Sequence, residues 1–168
     1  KGFNQGVAAH KAGADVTMVT KLGRDTFADI ALNTMKELGM KQDRILYSDD
    51  TETGCALIMV DENTSQNEIV VILGSCNTIS DAEVDSLEDL LDGCEYMLTQ
   101  LETNVSSVER IVDIACKKGV KVILNTAPVQ PISDELLSKV DLITPNEVEA
   151  EILTGVKVDS EEAADKAA

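Results

Sequence analysis

Three apolar runs in the second half of the chain each give way to a polar side chain able to bind a ligand. Glu102 follows residues 96–101, Asn125 follows 121–124, and Asn146 lies just beyond 140–143. Short apolar runs alternating with helical stretches read as parallel strands. Such strands bring their carboxyl ends to one sheet edge, where open α/β sheets bind ligands. Glu102 is the most informative of the three, because an acid directly after an apolar strand is costly unless solvated or bonded to a ligand. Glu149 stands three positions after Asn146. That spacing has two readings. N-x-x-E is a capping box, complete without any ligand. The same amide and carboxylate, held where a strand hands over to a helix, also suit a phosphate group or a hydrated divalent cation. Spacing alone favours the cap.

The elements that position these residues are legible from their punctuation. Pro145 disfavours helix at Thr144, Asn146 is a good N-cap, and Gly155 closes the helix after Leu153 and Thr154. Upstream, 4–12 reads as a small-residue helix ended by Gly13, with a strand over 15–20. A second helix over 25–38 shows Phe27, Ile30, Ala31, Met35 and Leu38 on one face, and a short strand follows over 44–47. Runs 55–60 and 68–73 form a hairpin across a polar loop. Both are apolar at nearly every position, so both faces of the hairpin are expected to be covered, by the main domain and a second subunit or wholly within the monomer. Ser80 and Glu83 make a capping box for a helix over 80–91 that buries Val84, Leu87 and Leu91. Then come a strand (96–101), a helix (105–118), a strand (121–124), a short helix (134–137), a buried strand (140–143) and the helix begun by Asn146. A last helix starts near Asp159 and is still running at Ala168, so both ends of the chain look cut. The expected fold is α/β: a mainly parallel sheet flanked by helices, with a small β-hairpin lid. Residues 1–168 are expected to be part of one such domain, with 54–74 in the lid.

Composition narrows the partners. With 31 acidic against 14 basic residues the formal charge is −17, which argues against nucleic acid and anionic membranes. No apolar run reaches membrane-spanning length and no signal-peptide pattern opens the chain. Cys55, Cys76, Cys94 and Cys116 lack metal-ligand spacing, so reduced, mostly buried thiols in a cytoplasmic protein are expected. His10, the single histidine, reads as a solvated surface residue. Neither the dinucleotide nor the P-loop fingerprint is present.

The order of motifs resembles the ribokinase family of sugar kinases. Lys1-Gly2-Phe3-Asn4-Gln5, then Gly13, then Lys21-Leu22-Gly23-Arg24-Asp25 are similar to its amino-terminal signature, which commonly reads G-G-K-G-A-N-Q before a strand and a G-x-D turn. Gly74-Ser75-Cys76-Asn77 after the hairpin, Gln100-Leu101-Glu102, Asn125-Thr126-Ala127-Pro128 and the stretch from Thr144 to Glu151 resemble further family motifs in the same order. The resemblance covers essentially the whole chain. It implies transfer of the γ-phosphoryl group of ATP to the 5-hydroxyl of ribose, the lysine of the first motif pointing to ribose over fructose or adenosine. Lys1, Gly2, Asn4 and Glu102 would bind the sugar, Asn146 would lie at the ATP phosphates, and Glu149 would serve Mg2+ through water. A homodimer through the lid and a monovalent cation (K+) site in the full-length protein are implied too. Phe3 replaces the usual alanine, which leaves the sugar open. Family members are longer, and their base aspartate lies in a carboxyl-terminal signature with no counterpart in these residues. Two alternatives stay open: another family kinase (fructokinase, adenosine or pseudouridine kinase), or a non-catalytic sugar-binding module.

Overall fold

Val108, Val112 and Ala115 recur at the spacing of one helix face, and that face builds one of two hydrophobic cores. The computed structural model describes residues 1–168, which fold as two units, Ser80–Ala168 with Gly2 and Phe3–Ile79 with Lys1. The elements in chain order are α1 (Gly2–Lys11), β1 (Thr20–Leu22), α2 (Thr26–Glu37), β2 (Ile45–Tyr47), β3 (Cys55–Val60), β4 (Asn67–Ile72), α3 (Asp81–Asp85), β5 (Tyr96–Gln100), α4 (Val105–Lys117), β6 (Lys121–Asn125), α5 (Asp134–Leu137), β7 (Leu142–Ile143), α6 (Glu147–Thr154) and α7 (Glu161–Ala167).

In the second unit β5, β6 and β7 form a parallel sheet in that order, Gln100 lying opposite Asn125 and Leu124 opposite Ile143. α4 and α5 supply the connections, and Leu101, Val112, Val122 and Leu124 are fully buried between sheet and helix. The expected strand over 140–143 shrinks to Leu142–Ile143, and these are 53% and 40% exposed. β7 pairs only with β6, so it is an edge strand and not a buried one. The expected helix over 80–91 is broken. The Ser80–Glu83 capping box forms, but the helix stops after Asp85 and resumes as a 3-10 turn over Glu88–Leu91. Ser86 turns its hydroxyl back onto the Glu83 carbonyl at 2.7 Å, a local bond that competes with helix continuation. Val84, Leu87 and Leu91 are buried all the same.

In the first unit β1 and β2 pair in parallel, Thr20 opposite Ile45 and Leu22 opposite Tyr47. The strand thus lies later than 15–20, because β2 is the only partner and its ladder begins at Thr20; Val16 and Met18 still pack into the core. Asp25 caps α2 by accepting from Ala28 N at 2.9 Å. The helix carries two overlapping apolar stripes. The one with small residues, Ala28 and Ala31 with Leu32 and Met35, packs inward, whereas Phe27 and Ile30 point out at 52% and 58% exposure. His10 is no free surface residue: its Nε2 lies 2.9 Å from the Leu38 carbonyl and ties α1 to the end of α2. All four cysteines are free, but only Cys55 and Cys76 are partly buried. Cys94 and Cys116 are exposed because neither sits on the inward stripe of its element.

β3 and β4 make the antiparallel hairpin, from Cys55 opposite Ile72 to Val60 opposite Asn67. Its coverage departs from expectation. Leu57, Ile58, Val70 and Val71 are 45–63% exposed although adjacent residues face opposite sides, so the hairpin is not buried within this chain. The two classes of apolar residue should respond differently in urea denaturation of this polypeptide. Leu124→Ala is predicted to cost about 2–5 kcal/mol, whereas Ile58→Ser should change stability by about 0.5 kcal/mol or less.

Candidate functional site

The sheet register of the second unit lines up the carboxyl ends of its strands. Asn125 ends β6 opposite Gln100, Glu102 lies two residues past Gln100, and Asn146 lies three past Ile143. The loops leaving β5 and β6 are tied together: Leu101 N donates to Ala127 O at 3.2 Å, and Gln130 Nε2 to Leu101 O at 2.5 Å. Glu102 sits half-buried in this loop layer. Asn125 donates through Nδ2 to the Thr144 carbonyl and hydroxyl at 2.7 and 3.0 Å, clamping the end of β6 to the end of β7. Its Oδ1 is buried without a hydrogen-bond partner, an acceptor held at the edge where a donor could meet it.

Asn146 and Glu149 form the complete capping box of α6. Asn146 Oδ1 accepts from Glu149 N at 2.8 Å, Glu149 Oε2 accepts from Asn146 N at 3.0 Å, and Asn146 Nδ2 donates to Glu149 Oε1 at 3.2 Å. Glu149 is only 6% exposed. Thr126, with no exposed surface, donates through Oγ1 to Glu149 Oε2 at 3.3 Å. In the sequence Thr126 stands out only as part of the Asn125-Thr126-Ala127-Pro128 motif, its position directly after Asn125 being the available signal. The carboxylate is therefore oriented from two sides, and Asn146 Nδ2 keeps a second hydrogen. One buried, hydrogen-bonded carboxylate suits an outer contact to a hydrated Mg2+, which dehydrates reluctantly, and is not a cage for a bare ion. The α6 N-terminus adds the partial positive charge of its free N–H groups.

Lys1, Gly2 and Asn4 stand at the start of α1. Lys1 occupies the N-cap position with no capping hydrogen bond from its side chain, Gly2 is half-buried, and Asn4 is exposed on the first turn. Phe3 packs against the core of the first unit, which accounts for the replacement of a small residue there by hydrophobic contact. The structure thus gathers Thr126, Asn146 and Glu149 into one hydrogen-bonded cluster, with Asn125, bonded to Thr144, and Glu102 on the same edge. Asn146→Ala should cost about 0.5–2 kcal/mol in urea denaturation through the lost cap, and Asn146→Asp should recover most of it.

The family model described as pfkB family carbohydrate kinase matches residues 1–168. The ribokinase of Haemophilus influenzae is 44% identical over 168 residues, 100% of this chain and 55% of that one. The deoxyribokinase of Salmonella typhi is 35% identical over 161 residues, 95% and 52% of the two chains. The Arabidopsis thaliana ribokinase, solved in complex with ribose and ATP, matches with a TM-score of 0.84 at 26% identity, covering 99% of this chain and 54% of its own. The chain spans about half the length of the curated relatives it matches. Match and motifs run through both units, from the lysine-glycine opening to the capping box of α6, and the chain belongs to the pfkB family of carbohydrate kinases.

Proposed function

We propose that the full-length protein is an ATP-dependent kinase that phosphorylates the 5-hydroxyl of ribose. The observation that carries this reading is the 44% identity with a ribokinase over all 168 residues. In the reaction the 5-hydroxyl oxygen bonds to the γ-phosphorus, the bond from that phosphorus to the β,γ-bridging oxygen breaks, and ADP leaves while the hydroxyl loses its proton. No residue of this chain is assigned as the base. Lys1, Gly2, Asn4 and Glu102 orient the sugar, the carboxylate of Glu102 accepting from its hydroxyls. The spare Asn146 Nδ2 hydrogen and the α6 N-terminus meet the phosphates. Glu149, fixed by Thr126 and the capping box, accepts from water on Mg2+, which supplies neutralisation of phosphate charge when bound. Such chemistry rests on positioning and charge stabilisation, which is what this hydrogen-bonded edge provides. A K+ requirement, a homodimer joined through the lid and a cytoplasmic location belong to the same reading. A second reading, with 2-deoxyribose as substrate, is favoured by the 35% identity with a deoxyribokinase.

ADP release by the full-length protein, measured against ribose, 2-deoxyribose, fructose and adenosine, separates these. Ribose should give the highest kcat/KM; turnover confined to another acceptor would reject the ribose assignment. Glu102→Gln should raise the sugar KM about tenfold or more, the scale of one hydrogen bond to a charged group. Glu149→Gln should instead raise the Mg2+ concentration needed for half-maximal rate and lower kcat. Equal effects of both substitutions on stability alone would reduce the two residues to packing and capping.

A further inference from the structure

Gln100 ends β5 opposite Asn125, and the alternation of the strand decides which way it points. Met97 and Leu101 take the side of the core under α4, Leu101 with no exposed surface. Gln100 shares the other side with Tyr96 and Leu98, both of them exposed. Gln100 itself is half-buried, and part of what covers it is a glycine. Gly2 opens α1 but belongs by its contacts to the second unit, as Gln100 does. A Cβ on Gly2 would lie 2.5 Å from Gln100 Oε1, 3.1 Å from its Cδ and 3.3 Å from its Nε2. The whole carboxamide therefore fills the place of the side chain that Gly2 lacks.

Backbone conformation does not call for a glycine there. Gly2 is the first helical residue and has no positive φ, unlike Gly13 or Gly39. Room is the remaining demand, and Gln100 takes that room. What Gly2 can offer a ligand is consequently its backbone, since the direction of its absent side chain is closed by the carboxamide. The ladder to β6 fixes the Gln100 backbone, so the carboxamide reaches Gly2 from a set origin.

We propose that Gln100 is a positioning residue for sugar binding, acting through Gly2, whose backbone its carboxamide holds in place at the carboxyl end of β5. The proposal rests on the kinase reading, in which Gly2 meets the sugar. Gln100 and Glu102 then divide the work: Glu102 accepts from the sugar hydroxyls, and Gln100 sets where Gly2 stands.

The test uses the full-length protein with Gln100→Ala, Gly2→Ala and the two combined. The readouts are kcat, the KM for ribose and for ATP, ribose Kd by calorimetry without nucleotide, and Tm. Gln100→Ala should raise the ribose KM and Kd about tenfold, the effect of a misplaced binding group, with kcat, the ATP KM and Tm near wild type. Gly2→Ala should do the same, because its methyl must push the carboxamide aside. In the double variant the methyl enters the room left by the shortened side chain, so the ribose KM should rise no further than in either single variant. An unaltered ribose KM in Gln100→Ala would overturn the proposal. Losses that multiply in the double variant, to about a hundredfold, would overturn it too, because Gly2 and Gln100 would then act on the sugar independently. Equal rises in the ribose and ATP KM with a lowered Tm would mark general loosening and reject it as well. A wild type that neither binds ribose nor phosphorylates any sugar would overturn the kinase reading beneath the proposal, whereas an active wild type indifferent to Gln100→Ala overturns the proposal alone.

Discussion

The register that sets Gln100 beside Asn125 and Leu124 beside Ile143 decides where every polar group of the second unit's edge can be. Parallel ladders leave no freedom of offset once the first pairs form, so the three strand ends must share one edge. Fully buried Leu101, Val122 and Leu124 hold the ladder against α4. Asn125 then fastens the ends of β6 and β7, and the capping box turns the chain into α6. Asn125, Thr126, Asn146 and Glu149 do structural work before any ligand arrives. That is an economical way to preorganise a site, because the side chains are already ordered by the fold.

The first unit repeats the device at a different place. Asp25 is a helix cap that also accepts from Thr53 N, just before the β3–β4 hairpin. The turn after β1 is therefore common to a helix start and the approach to the β3–β4 hairpin. Gly23 allows it, since a side chain there would lie 2.7 Å from Thr53 N. The β3–β4 hairpin carries large apolar side chains on both faces, and nothing in this chain covers them.

Much of this was legible in the sequence because its signals are local. Ser80-x-x-Glu83 and Asn146-x-x-Glu149 name their own hydrogen bonds, and both boxes form. Alternation of apolar runs with helical stretches was enough for the parallel sheet. What was misjudged depends on partners far away in sequence. The strand before Lys21 was placed too early because its pairing partner is a three-residue β2. The inward face of α2 was misread because two stripes overlap and only packing chooses between them. The apolar hairpin and β7 were expected to be covered, since composition reports a tendency to be buried but not what does the burying. At the candidate site, Asn146 and Glu149 could be paired from spacing. The Thr126 contact to Glu149 and the Lys21 contact to the Thr78 carbonyl join residues 23 and 57 positions apart, and no local pattern announces them.

The most direct measurement of the account is a ligand footprint on the full-length protein, by amide exchange with ribose and then with Mg2+ and ATP. Ribose is predicted to protect the start of α1 and the loop at Glu102, and the nucleotide to protect the stretch from Thr144 to Glu149. Protection of the α1 start by nucleotide and not by sugar, or no protection at the carboxyl edge of β5–β7 with either ligand, would contradict it.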